Sequence, residues 1–244
     1  MEGLEGQGGS LWNPLSFFGI DHPFLKIDIH TLINTWIILG FIFLVLFFLR
    51  PFLKKTSGVV YYIVDQYLEI FSDLTVQALG VFHYHHFAFV TSLFTFILLC
   101  NWSGFIPGLD EPTRDVNTAL ALGLTAFFYK EFYSIVAHGF GGYLHEFISP
   151  FFVMLPLNII SHLSKILSLS FRLFGNILGG SIITQLYFTA LGNSILWQCV
   201  GMITGLNVVV IGFFIFFEGL IQAFVFAMLA ITYLGMAVQS EEEA

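Results

Sequence analysis

The chain has 244 residues, of which 57% are hydrophobic, 31 are Phe and only 10% are charged, a composition that suits a bilayer and excludes an ordinary soluble domain. Eight Lys and Arg against 16 Asp and Glu leave a formal net charge of -8, and basic residues this scattered exclude nucleic-acid binding, which requires a run of phosphates to be neutralised. Cys100 and Cys199 lie in apolar stretches with no CxxC pair, so they read as small hydrophobes and no metal or cofactor is expected of them.

Residues 1–28 carry Glu2 and Glu5 where a secretory signal needs positive charge; no cleaved signal is expected, and this segment is read as extracytoplasmic. Ile29 to Leu49 is a charge-free run long enough to cross about 30 Å of hydrocarbon. It stops at Arg50, Pro51, Lys54 and Lys55, the densest positive cluster in the chain, which the positive-inside rule puts in the cytoplasm. From Val59 to Gly80, Asp65, Glu69 and Asp73 recur every fourth residue among apolar ones, predicting an amphipathic helix along the membrane surface that closes a unit over 29–83. His83, His85 and His86 follow. Three imidazoles could bind a metal, but no Cys, Asp or Glu completes a ligand set nearby, so a polar, aromatic collar at a helix entrance is the favoured reading.

The unit 84–142 is expected to hold two spans. Phe87 to Leu109 stops at Pro107-Gly108 and the polar loop from Asp110 to Asp115, expected to be extracytoplasmic. Val116 to Ala137 returns with Lys130 and Glu131 near its inner end, where long side chains are expected to reach water. Gly139, Gly141 and Gly142 then predict a break.

In the last unit, 143–244, the 45 residues from Leu173 to Phe217 carry no charge. Two runs, Phe151 to Leu191 and Cys199 to Gln239, are each roughly 60 Å long as helix, about twice the hydrocarbon thickness, so each must be broken or strongly tilted. Gly192, Asn193 and Ser194 are the turn signal between them. The fold class expected is an all-α membrane protein with transmembrane helices, a surface helix and two long tilted C-terminal helices.

Arg172, flanked by apolar residues, stands out, because an arginine at mid-bilayer costs about 2.5 to 3.5 kcal/mol on insertion scales. At 100° per residue, Asn158, Ser161, Lys165, Ser168, Asn176 and Gly179 fall within about 40° of its line, a polar stripe on one helix face. Gly175 and Gly179 form a small-xxx-small pair that would let another helix approach. On the second long helix Glu218 and Gln222 are one turn apart, with Asn207 three turns earlier on the same projected face. A buried Arg172–Glu218 ion pair that merely specifies packing is one reading. An ion path is the other. There Arg172, permanently charged, acts as a fixed field, while Glu218 can take up and release protons. The carboxylate acted on must then come from another chain, since this one has no second acid at that depth. A secondary anion transporter with Arg172 as substrate clamp is the alternative, although no paired repeat is evident; a purely structural scaffold would tolerate loss of the arginine.

The segment Ser164-Lys165-Ile166-Leu167-Ser168-Leu169-Ser170-Phe171-Arg172-Leu173-Phe174-Gly175-Asn176 resembles the SxPLSLxLRLFGN signature of subunit a of F-type ATP synthases. Pro112 to Thr118 is similar to that family's PTxDxN segment, and Ile221 to Phe226 to its IQAFxF segment. The resemblance covers roughly 84 to 240. It implies a non-catalytic, multi-pass subunit of a bacterial plasma membrane whose long helices curve around a ring of c subunits, with peripheral-stalk b subunits, lipids and protons as further partners. It also implies that Arg172 faces the ring carboxylates with support from Asn176, that Gln222 lies opposite, and that Glu218 stands in a half-channel open to the outside. The pattern departs at Ser181 and Ile215, where many members have Glu or His, so a relay through Ser181, Glu218 and waters is expected. His162 and Asn158 stand where acids are frequent, and Ile166 replaces a usual proline. Asn158, Ser161, His162, Lys165, Ser168 and Asn207 are the remaining candidates for lining the half-channels. The chain has no GxxxxGK[ST] loop, so ATP chemistry must lie elsewhere.

Overall fold

A computed structural model describes residues 11–12, 27–53, 58–106, 108–149, 151–192, 201 and 203–239. The predicted Asn193-Ser194 turn, Lys54, Lys55 and Cys199 lie outside them. The protein is an all-α membrane protein, and five of its described helical segments are long and apolar enough to cross a bilayer. A two-residue antiparallel ladder, β1 (Leu11–Trp12) with β2 (Ile27–Asp28), leads into α1 (Ile29–Leu53). The Asp28 carboxylate accepts the His30 backbone N–H at 3.0 Å, which satisfies one of the donors left free at the helix start.

Helix α1 continues through Pro51 to Leu53, a turn beyond the predicted stop at the basic cluster. Proline removes one backbone donor but leaves the final turn otherwise able to form. Only Asn34 and Ile38 of α1 are buried, as suits a span whose partner over most of its surface is lipid. Helix α2 (Val59–Leu79) ends at Gly80, whose φ of 76° closes the last turn through a bond to the Val76 carbonyl. Its Asp65, Glu69 and Asp73 are all exposed, as the periodicity required. The opposite face buries Phe71 and Thr75, with Phe71 against Phe94 at 4.8 Å between ring centres and Tyr67 Oη 2.8 Å from Thr95 Oγ1.

Helix α3 (Tyr84–Trp102) runs into a single 3-10 turn, Ser103–Phe105, and a second such turn, Pro112–Arg114, precedes α4 (Val116–Ile148). Asp115 caps α4 by accepting the Asn117 backbone N–H. The predicted glycine break is a kink: Gly139 alone leaves the helical region, at φ 71°, and the helix resumes through Gly141 and Gly142 to Ile148. The left-handed region is open to glycine at little cost, so one residue suffices to redirect the chain.

The two long C-terminal runs resolve differently. Helix α5 (Leu155–Gly192) is unbroken over 38 residues, or roughly 57 Å. The second run is interrupted by a turn at Thr204–Gly205, where Gly205 has φ 69°. Beyond it, α6 (Leu206–Ile211) passes through a π-helical stretch, Gly212–Phe217, into α7 (Glu218–Gln239). Phe71, Val90, Phe94, Ile97, Leu169, Leu173, Phe226, Ile231 and Leu234 make a core shared by α2, α3, α5 and α7, held by close packing because lipid is as apolar as these side chains.

Candidate functional site

Helix α5 has two unlike faces. Ile166, Leu169, Leu173 and Ile177 point into the core, whereas Ser161, Ser168, Arg172, Gly175 and Asn176 are exposed. Among the described residues the Arg172 guanidinium has one partner, Ser168 Oγ at 3.5 Å, a bond at the limit of useful length. A methyl group added at Gly175 or Gly179 would meet nothing within 4 Å. The small-residue strip beside the arginine is therefore open on the outside of the chain, and Arg172 does not pair with Glu218.

Behind that face lies a polar seam between α5 and α7. Asn176 Nδ2 donates to Gln222 Oε1 at 2.6 Å, although Asn176 is exposed and Gln222 is 3% exposed. The Gln222 amide nitrogen and one oxygen of Glu218, Oε2, are buried without a hydrogen-bond partner. Glu218 lies against Gly180: a methyl carbon at Gly180 would stand 3.1 Å from Glu218 Oε2. Tyr187 Oη donates to Asn207 Oδ1 at 2.7 Å. Asn207 thus faces α5 but does not join Glu218 and Gln222, because the π-helical stretch between them does not advance by the 100° per residue on which the projection rested.

A cavity of about 490 Å³ opens beside this seam, lined by Asn101, Glu111, Arg114, Gly180, Ser181 and Thr184 among others. Ser181 stands on its wall, with its hydroxyl bonded to the Leu178 carbonyl at 2.9 Å. The rim is pinned by hydrogen bonds from Thr113 to Asn101 at 2.9 Å, from Asn101 to the Gly219 carbonyl at 2.9 Å, and from Trp102 Nε1 to the Phe216 carbonyl at 3.2 Å. The last two acceptors belong to the π-helical stretch and the turn after it, where carbonyls need partners from outside the helix. Glu111 is half-buried at this rim, while Asp110 and Arg114 beside it are exposed. Burial pushes its carboxyl up to about 7, opposed by the Arg114 guanidinium and reinforced by the charges of Asp110 and Glu218.

A second polar group sits toward the other end of α5. Lys130 Nζ is 2.7 Å from Glu131 Oε1, His162 Nδ1 is 3.0 Å from the same oxygen, Lys130 and Glu131 are each 7% exposed, and His162 is half-buried. Lys130 and Glu131 therefore do not reach water as expected; each finds its neutralising partner in the other, and His162 completes the cluster from α5. Lys165 lies 5.8 Å over the Tyr233 ring, and Asn158 donates to the Phe147 carbonyl at 2.9 Å. Among the described residues no group of three His, Cys, Asp or Glu is placed to hold a metal; His83 stacks on His86, whose Nδ1 is 3.1 Å from Tyr129 Oη.

Glu111 and Asn101 could not be singled out in the sequence, since their importance comes from a loop folding over α3. The paired charges Lys130-Glu131 inside an otherwise apolar span were the available signal for the second cluster.

The family profile described as ATP synthase A chain matches residues 32–235, a span that contains Arg172 and both polar sites beside it. The ATP synthase subunit a of Moorella thermoacetica is 32% identical over 204 residues, covering 84% of this chain and 88% of its own length. ATP synthase subunit a 1 of Prosthecochloris aestuarii is 31% identical, over 87% of this chain and 91% of its own. ATP synthase subunit a of Solidesulfovibrio magneticus reaches 43% identity over a shorter stretch, 61% of this chain and 58% of its own.

Proposed function

Because the chain belongs to the ATP synthase subunit a family, a family of non-catalytic, proton-translocating membrane subunits, we propose that it supplies two offset proton paths to the carboxylates of a c-ring, with Arg172 between them. The observation that carries this reading is the placement of Arg172: exposed, with a single marginal bond among the described residues, beside an open strip of glycines. A permanent charge in the bilayer needs a counter-charge, and here it must be brought by a neighbour.

The two polar sites on α5 support the division into two paths. His162 lies ten residues before Arg172 and Ser181 nine after it, so the arginine stands roughly 14 Å along the helix from each. The cavity at Gly180 and Ser181, with Glu218 packed against Gly180, serves as the outer path, since it opens beside the loop read as extracytoplasmic. The side of Lys130, Glu131 and His162 serves the cytoplasmic one.

A proton reaching Glu218 passes to a ring carboxylate and neutralises it, which lets that subunit leave the arginine for lipid. After a rotation the next carboxylate meets the fixed guanidinium, whose field favours the ionised form, and its proton leaves by the inner path. Gln222, bonded to Asn176, and Glu218 hold the outer side of this exchange; Ser161, Ser168, Asn158, Lys165 and Asn207 line the approaches. The 57 Å of α5, about twice the hydrocarbon thickness, fits a helix lying obliquely along a ring. Peripheral-stalk b subunits and lipids would cover the remaining apolar faces, in a bacterial plasma membrane.

The test is Arg172→Ala in the whole ATP synthase. ATP-driven proton pumping into inverted vesicles is expected to be lost while the complex stays assembled; retained coupled pumping would refute the proposal.

A further inference from the structure

Glu111 belongs to no segment from which the ion path was read, yet it lies where a proton would first meet the chain. Its neighbours Asp110 and Arg114 are exposed, Glu111 is half-buried, and Glu218, also half-buried with one oxygen fully buried, packs against Gly180 in the cavity wall. The cavity between Glu111 and the Gly180 wall against which Glu218 rests has room for many waters at about 30 Å³ each. Within the described residues no hydrogen bond fixes the Glu111 carboxylate.

Gly104 makes this position possible. A methyl group there would collide with the Glu111 carboxyl, so only glycine leaves the loop acid space to lie over the end of α3 and face the cavity. The Thr113–Asn101–Gly219 hydrogen bonds hold the loop in that pose and tie it to the turn that carries Glu218.

We propose that Glu111 is the proton-accepting group at the outer mouth of the path, taking protons from the extracytoplasmic side and passing them through cavity water to Glu218. Each transfer moves only a proton: Glu111 gains one O–H bond from external water, loses it to water inside, and Glu218 gains the equivalent bond. This rests on the reading of the chain as the ion path. The groups that face Glu111 are Asp110 and Arg114 from its own loop and Glu218 from α7; Arg114 opposes protonation, and the two acids favour it. With its carboxyl near 7, Glu111 is neutral in acid and charged in alkali, so it can both capture and release a proton near neutrality.

The experiment uses the whole ATP synthase reconstituted in proteoliposomes, with the membrane potential clamped and the pH of the head-group side held constant. The initial rate of ATP synthesis is read against the pH of the other side. The native complex is expected to show a fall in rate as that pH rises through about 7. Glu111→Gln is expected to lower the rate and remove that inflection, because an amide cannot titrate; an unchanged midpoint overturns the proposal. Should Glu111→Gln fail to assemble, Glu111→Asp keeps a carboxyl in a shorter side chain: a shifted midpoint supports the proposal and an unmoved one overturns it. Arg172→Ala, measured alongside, separates the two ideas. Loss of coupling there with an unaltered Glu111→Gln profile removes only the role of Glu111, whereas retained coupling in Arg172→Ala removes the ion path itself.

Discussion

The two polar sites on either side of Arg172 both hold a partly unpartnered buried acid, and they differ in what else those acids touch. At the outer site Glu218, against the Gly180 wall, keeps an oxygen buried without a partner, and Glu111 faces the cavity. At the inner site Glu131 Oε1 accepts from both Lys130 and His162 within 3.0 Å, while its Oε2 is buried without a hydrogen-bond partner. An acid without a charged partner is free of that tie, whereas one bonded to a buried lysine is needed as its counter-charge. The outer site fits the proposed exchange of protons; the inner charges hold α4 against α5.

The largest effect should follow from breaking the inner cluster. Glu131→Leu leaves Lys130 buried without its counter-charge, which costs about 3 to 5 kcal/mol for a buried pair. Loss of the assembled complex, or a markedly lower melting temperature in detergent, is expected. Replacing both residues, as Lys130→Met with Glu131→Leu, should restore most of that stability, since no lone charge remains. If Glu131→Leu alone were harmless, the cluster would not be a structural clamp.

At the outer site the order of effects reverses. Glu218→Gln is expected to preserve assembly and to slow passive proton conduction, because the amide keeps the shape but cannot relay. Conduction at the native rate would remove Glu218 from the path. Gly180→Ala should act more mildly through the same residue: its methyl would press to 3.1 Å from Glu218 Oε2, forcing the carboxyl aside. A partial loss of conduction is expected, and none at all would mean that Glu218 has other room to work in.

Much of this contrast was legible in the sequence, and what was not has a common cause. Arg172, Asn176, Glu218 and Gln222 stand out because a polar residue in a long apolar helix has few structural reasons to be there. Periodicity also set the exposed acids of α2. It failed at Lys130 and Glu131, where nearness to a helix end suggested water but His162, 31 and 32 residues away in sequence, closed the site. It failed again at Asn207, because nothing in GFFIFF marks a π-helical stretch that alters the phase between Asn207 and Glu218. Glu111 was hidden for a third reason: a loop residue acquires depth only from what the loop folds onto, here the glycine at the end of α3.

The smallest effect expected is a change in the pinned loop itself, and its sign follows from the direction of the Glu111 shift. Burial raises its carboxyl from an ordinary value of 4.5 to about 7, so the fold favours the neutral form. That contribution to stability is complete below the unfolded value and is lost as pH rises through about 7. Hydrogen exchange over residues 108–118 in the whole complex, corrected for the intrinsic dependence on pH, should therefore show more frequent opening above that point than below it. In Glu111→Gln the difference should vanish, because nothing at the rim then becomes charged. Equal protection on both sides of neutrality in the native protein would mean that Glu111 is already solvated at the surface. The outer site would then lose the half-buried loop acid that distinguishes it from the clamp on the other side of Arg172.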